Sequence, residues 1–213
     1  MSNATSWVAE KLAEEGGLKV VDRTPNDFLV IAAKNDYTFV VAVISVQTVI
    51  QLPDVKPLFV GNTKPHLVVN VPSKTLWSGA AIEFIHAVPA AFGTFGDIYR
   101  AAQTKAAGLY RDKNMGFFIN AMEQHENVAT VSYLYDAVFE VDRKNGASVT
   151  VAVIDAYNMS AEDVRNARTR FGNFDVVVKS SSYGSITAQA ETAAESMGAQ
   201  ALNFRGLMKR LAT

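Results

Sequence analysis

The chain has 213 residues, 49% of them hydrophobic, a formal net charge of −1 and no cysteine. That length suits one large core or two small ones. The missing cysteines exclude disulfides, thiolate metal sites and a cysteine nucleophile, and the balanced charge gives no global attraction to nucleic acid or acidic lipid. The first residues show no basic segment leading into an apolar one, and no apolar run approaches the roughly 18 residues of a membrane span, so a cytoplasmic location without a membrane partner is expected.

In chain order, Thr5 or Ser6 can cap a helix that runs to Glu15 and stops at Gly16-Gly17. Residues 18–22 read as a short strand. Residues 28–33 and 37–46 are two β-rich runs around the turn Asn35-Asp36. Both are apolar on both faces, as central, doubly covered strands are. Pro53, Pro57 and Pro65 break any long helix in 47–66. A strand at 66–71, a helix at 78–87 ended by Pro89 and the Gly93/Gly96 pair, and a helix at 97–110 complete the first half.

The second half repeats the first. Residues 34–45 and 144–155 align without a gap, sharing Lys, Asn, Val, Ala, Val and Ile at six of twelve positions. Upstream, Trp7, Val8 and Leu12 fall on Phe117, Phe118 and Met122. Downstream, Leu67-Val68-Val69 falls on Val176-Val177-Val178 after a one-residue drift. Helix 115–126, strand 129–135 and a hairpin of 136–143 with 147–156 around Asn145-Gly146 follow the order of the first half. Ser160 with Asp163 opens a helix to Phe171. Strand 174–179, an Ala-rich helix at 185–197 and an amphipathic helix at 199–211 close the chain. In the last, Phe204, Leu207, Met208 and Leu211 form one stripe. The expected fold is α/β: two tandem repeats, 1–109 and 110–213, each a mixed sheet with a central β-hairpin flanked by helices, packed as a pseudo-symmetric pair.

No phosphate-binding glycine loop, dinucleotide fingerprint or nucleophile elbow is present. His66, His86 and His125 stand far apart and read as surface or core residues. A two-residue turn at Asn145-Gly146 would pair Asp136 with Asp155 across the hairpin, with side chains about 5 Å apart. Two carboxylates that close call for a cation or a shared proton. As separate acids they equally suit a strand end and a turn. Tyr157 follows on the Asp155 face.

A helix, a strand opening on an acid, a tight turn and a strand ending in Ile-acid-x-Lys form the pattern of the restriction-endonuclease-like, PD-(D/E)xK, nuclease superfamily. Tyr135-Asp136-Ala137-Val138 followed by Val153-Ile154-Asp155-Ala156-Tyr157-Asn158 resembles it. Pro25-Asn26-Asp27-Phe28 followed by Val43-Ile44-Ser45-Val46-Gln47 is similar to a decayed copy. The resemblance implies a sheet sandwiched between helices, a metal-dependent nuclease scaffold, and Asp136 and Asp155 as ligands of Mg²⁺. It makes Asp136, Asp155 and Tyr157 the catalytic positions. Tyr157 and Gln47 stand where the family has its lysine, so a weak or inactive enzyme is expected. Arg165 and Arg168, and Arg205, Lys209 and Arg210, could hold the phosphates of DNA or be solvated helix faces. The alternative is a non-enzymatic structural protein of a phage or mobile element, which would meet protein partners in an assembly.

Overall fold

The duplicated stretch forms the middle strand of each of two five-stranded sheets. A computed structural model describes residues 3–34 and 36–212 and divides the chain into two units, Met1–Arg111 and Asp112–Thr213. The first runs α1 (Ala4–Glu15), β1 (Leu18–Arg23), β2 (Leu29–Ala33), β3 (Thr38–Ile44), α2 (Leu52–Val55) with a following 3-10 turn, β4 (Leu67–Asn70), α3 (Gly79–Ala87), β5 (Ala91–Gly93) and α4 (Phe95–Gln103). The second runs α5 (Lys113–Glu123), β6 (Val128–Tyr135), β7 (Val138–Arg143), β8 (Val149–Ile154), α6 (Ala161–Phe171), β9 (Val176–Lys179), α7 (Ala188–Ser196), β10 (Gln200–Asn203) and α8 (Phe204–Leu211).

Both sheets keep their strands in sequence order. The first three strands of each are antiparallel and the last two run parallel to the third. The registers agree as well. Val41 lies opposite Leu29 and Leu67, and its counterpart Val151 lies opposite Phe139 and Val176. Leu67 then meets Ala91 as Val176 meets Gln200. The one-residue drift falls between the third and fourth strands, in a connection where a deletion disturbs no ladder. The fold is thus a duplicated α/β unit.

Every residue of β4 and β9 is buried, as doubly covered parallel strands should be. In the second unit the side chains of Val149, Val151 and Val153 join Phe118 and Met122 of α5 and Leu207 and Leu211 of α8 in one core cluster. Alternation sends Ala152 and Ile154 to the other face, where α6 and α7 lie. Each fully buried Val, Leu or Phe of this kind stabilises the unit by roughly 1.5–3 kcal/mol.

Three expectations need correction. The hairpin of β7 and β8 has Val138 opposite Ala152 and Val141 opposite Val149, one residue away from the register of a two-residue turn. Such a turn needs φ > 0 at its first central residue, here Asn145. Among the described residues Asn145 is not one of those with positive φ, whereas Gly146 has φ 102°. The loop is residues 144–146, with the glycine left-handed in third place and Arg143 Nε donating to Ala147 O at 2.9 Å. In the first unit Asp36 takes that third place at φ 60° and Ala33 N bonds Tyr37 O at 2.9 Å; Asn35 of the expected turn lies outside the described residues.

The expected helices at 199–211 and 97–110 are the second and third corrections. β10 precedes α8, whose cap Asn203 accepts from Gly206 N at 2.7 Å. α4 opens on the capping box of Thr94 and Asp97, ends at Gln103, and is preceded by β5. These edge strands carry no β-rich pattern of their own; pairing with β4 and β9 creates them.

Candidate functional site

The sequence-predicted residues do not converge. The one-residue change of register puts Asp136 across from Ile154, not Asp155, and a one-residue slip turns a side chain to the other face. Asp136 meets Arg170 of α6, with Nη2 and Oδ2 3.7 Å apart. Asp155 accepts a hydrogen bond from Ser180 Oγ at 3.3 Å, on the face of Val153 and Val178. The two carboxylates thus have different partners, Arg170 of α6 for one and the loop after β9 for the other. Among the described residues no group of three or more acids and histidines could hold a metal ion. Tyr157 is exposed in the loop after β8.

The basic residues also divide. Arg165 and Arg168 are on α6, on one face of the second sheet. Arg168 donates to Met197 O at 3.4 Å and lies over the Phe174 ring, so its role is to hold structure. Arg205, Lys209 and Arg210 are on α8, on the opposite face. Arg210 Nη1 donates to Gln200 Oε1 at 2.7 Å, while Arg205 and Lys209 are exposed.

A pocket of about 560 Å³ opens beside Arg205, within the roughly 300–1,000 Å³ of small-ligand sites. It lies beyond the carboxyl ends of the parallel strands β9 and β10, where open α/β sheets bind ligands. One wall is the loop Ser180-Ser181-Ser182 with Gly184 and Ser185. The other is Asn203, Phe204, Arg205 and Met208 at the start of α8, with Phe117 of α5, Lys179 and Ile186 completing the lining. No acid lines it.

Local chemistry builds this loop. Gly184 has φ 74°, and a Cβ there would sit 1.9 Å from Tyr157 O, so only glycine fits. Ser185 N donates to Asn158 Oδ1 at 2.9 Å. Met159 N reaches Ser185 O at 2.9 Å, and Thr187 N reaches Met159 O at 3.0 Å. The loops after β8 and β9 are thereby laced together. Lys179, 2% exposed, closes the loop after β9: its Nζ donates to Ser181 O at 2.6 Å and to Tyr183 O. Among the described residues Lys179 forms no ion pair. Burying an ammonium without a carboxylate is costly, and the two carbonyl bonds offset part of that cost while closing the loop.

The first unit supplies an internal control. Phe117 and Phe204 approach at 4.9 Å between ring centroids, and their counterparts Trp7 and Phe95 approach at 5.7 Å. That aromatic pair belongs to the scaffold. The counterpart of Lys179 is Asn70, 1% exposed, which closes its own loop through Val46 N, Val46 O and Pro72 O. The counterpart of Arg205 is Gly96. The cations and the serine run are present in the second unit and not at the matching positions of the first. Sequence reading passed over Lys179, although a lysine ending the run Val176-Val177-Val178 is a signal, since a doubly covered strand tolerates no idle charge.

Elsewhere the perturbed groups are structural. Asp97 is held below the usual carboxylate range: burial pushes it up, but hydrogen bonds from Tyr110, Thr94 and Arg100 outweigh that. Hydrogen bonds from Ser148 and Thr130 lower Asp142. Burial, with Arg111 nearby, lowers His86 to about 4. His66 Nδ1 accepts from Val40 N at 3.0 Å, and His125 joins Asn127 N and Met208 O. Among the described residues no helix is long and apolar enough to cross a membrane. No family model, curated protein or solved structure matches the chain.

Proposed function

We propose that the protein associates with nucleic acid on a duplicated nuclease-like scaffold that is weak or inactive as a catalyst, and that its second unit makes the contact. The observation that carries this reading is the acid-free pocket at the ends of β9 and β10, with exposed Arg205 at its side and Lys209 one turn further along α8. Arginine, lysine, serine and asparagine are the side chains that hold phosphate oxygens. The nuclease part of the reading rests on the resemblance of residues 135–138 and 153–158. The separation of Asp136 from Asp155, with Tyr157 in the lysine's place, argues for binding without cleavage.

The test is retention of a DNA oligomer as salt is raised. The parent should bind at low salt and release with a steep log–log dependence. Arg205→Gln with Lys209→Gln should weaken binding and flatten the slope by about two charges' worth, at ~0.9 per phosphate contact. No retention at low salt would remove the reading and favour an assembly protein; brisk cleavage would show a working nuclease.

A further inference from the structure

We infer that the pocket takes one unpaired nucleotide of a nucleic-acid strand, its phosphate against Arg205 and the serine loop and its base against the aromatic wall of Phe117 and Phe204, so that single strands bind in preference to duplex. This rests on the nucleic-acid reading above and adds the form of the nucleic acid. The lining mixes two chemistries. Arg205, Asn203 and the hydroxyl-rich loop are polar, and Phe117, Phe204 and Met208 are apolar. A ligand that satisfies both has an anionic group and a flat apolar face a few ångströms apart, which describes a nucleotide.

Phe117 is 58% exposed, although it sits on the face of α5 that turns toward α8. Its contact with Phe204 covers only part of the ring, and the uncovered part is available for stacking. Base stacking on such a ring is tolerant of sequence because every base has a π face. A concave wall cannot be reached by a base that is still paired and stacked inside a helix. Duplex DNA can touch only the rim, at Arg205 and Lys209, through its phosphates. The first unit repeats the aromatic pair but has Gly96 and Asn70 where the second has Arg205 and Lys179. It also has Val71-Pro72-Ser73 in place of Ser180-Ser181-Ser182. The first unit therefore lacks the guanidinium of Arg205 and the serine hydroxyls that line the pocket of the second.

The experiment is fluorescence anisotropy with a labelled oligothymidylate and with a duplex of equal length, at one low salt concentration, on the parent, Phe117→Leu and Phe117→Trp. Leucine keeps the apolar contact with Phe204 and removes the π face, so the fold is preserved, as far-UV circular dichroism will verify. The parent should bind the single strand more tightly than the duplex. Phe117→Leu should weaken single-strand binding about fivefold or more and leave duplex binding unchanged, and Phe117→Trp should restore it. Equal affinity for the two forms, or no effect of Phe117→Leu, overturns this inference while leaving the nucleic-acid reading in place. Binding of neither form overturns both.

Discussion

Replacing Gly146 by valine tests the loop that sets the register of the second hairpin. Gly146 has φ 102°, a conformation that glycine adopts freely and a β-branched residue resists. Holding valine there costs about 1–3 kcal/mol in backbone strain. Its Cβ would also lie 2.3 Å from Arg143 Nη2. That guanidinium can swing away, but only by giving up the bond from its Nε to Ala147 O, worth about 0.5–1.5 kcal/mol and less at an exposed site. The sum is roughly 2–3 kcal/mol, on the order of a 10 °C fall in melting temperature for a unit of this size. Gly146→Asp should cost distinctly less, because Asp36 already occupies the matching position at φ 60° and aspartate tolerates left-handed backbone. Thermal melts followed by circular dichroism, with urea midpoints as a second measure, would resolve the two. If the valine variant melted with the parent, Gly146 would not be the left-handed residue of the loop. The register that parts Asp136 from Asp155 would then be wrong as well.

Other outcomes follow from the same geometry. Lys179→Met should change stability by no more than about 1 kcal/mol: the several kcal/mol of burying an ion nearly offset its two charge-assisted hydrogen bonds at about 1.5–3 kcal/mol each. A loss above 3 kcal/mol in urea denaturation would make Lys179 a structural strut. His86 is lowered from 6.5 to about 4, so between those values the unfolded chain binds a proton that the folded chain does not, and stability must fall as pH drops through that window. Partial exposure trims the effect to on the order of 1–2 kcal/mol, and a pH series that His86→Gln fails to flatten would refute the assignment. Because Asp136 and Asp155 have different partners, Arg170 and Ser180, millimolar Mn²⁺ should leave the melting temperature unchanged in the parent and in Asp155→Asn; a rise in the parent that the variant lacks would bring the carboxylates back together.

Much of the fold was legible because the duplication was. Val41–Ile44 and Val151–Ile154 announce the same strand twice, and the drift after them locates the shortened connection. Local chemistry was legible too, as in the capping box of Ser160 and Asp163, where Ser160 N bonds Asp163 Oδ2 at 2.8 Å. The hairpin register was not. Asn145-Gly146 suits a two-residue turn and also a three-residue loop with glycine last, and a difference of one residue ends the expected pairing of Asp136 with Asp155. β10 was hidden because Gln200-Ala201-Leu202-Asn203 becomes a strand only by lying beside β9. The pocket was hidden for a related reason. Phe117, Lys179 and Arg205 are distant in sequence, and only the parallel order of β8, β9 and β10 gathers them at one end of the sheet.

The most direct test of the claim that the second unit alone carries the site is to rebuild it as the first. Lys179→Asn with Arg205→Gly installs the residues that the first unit has at Asn70 and Gly96, on a backbone that already accepts them there. The measurement is single-strand affinity at low salt, beside the circular dichroism spectrum and melting temperature of the same sample. The double variant should keep the spectrum, melt within a few degrees of the parent, and bind single strands more weakly with a flatter salt slope. Binding retained at the parent's affinity and salt slope by this folded variant would contradict the account.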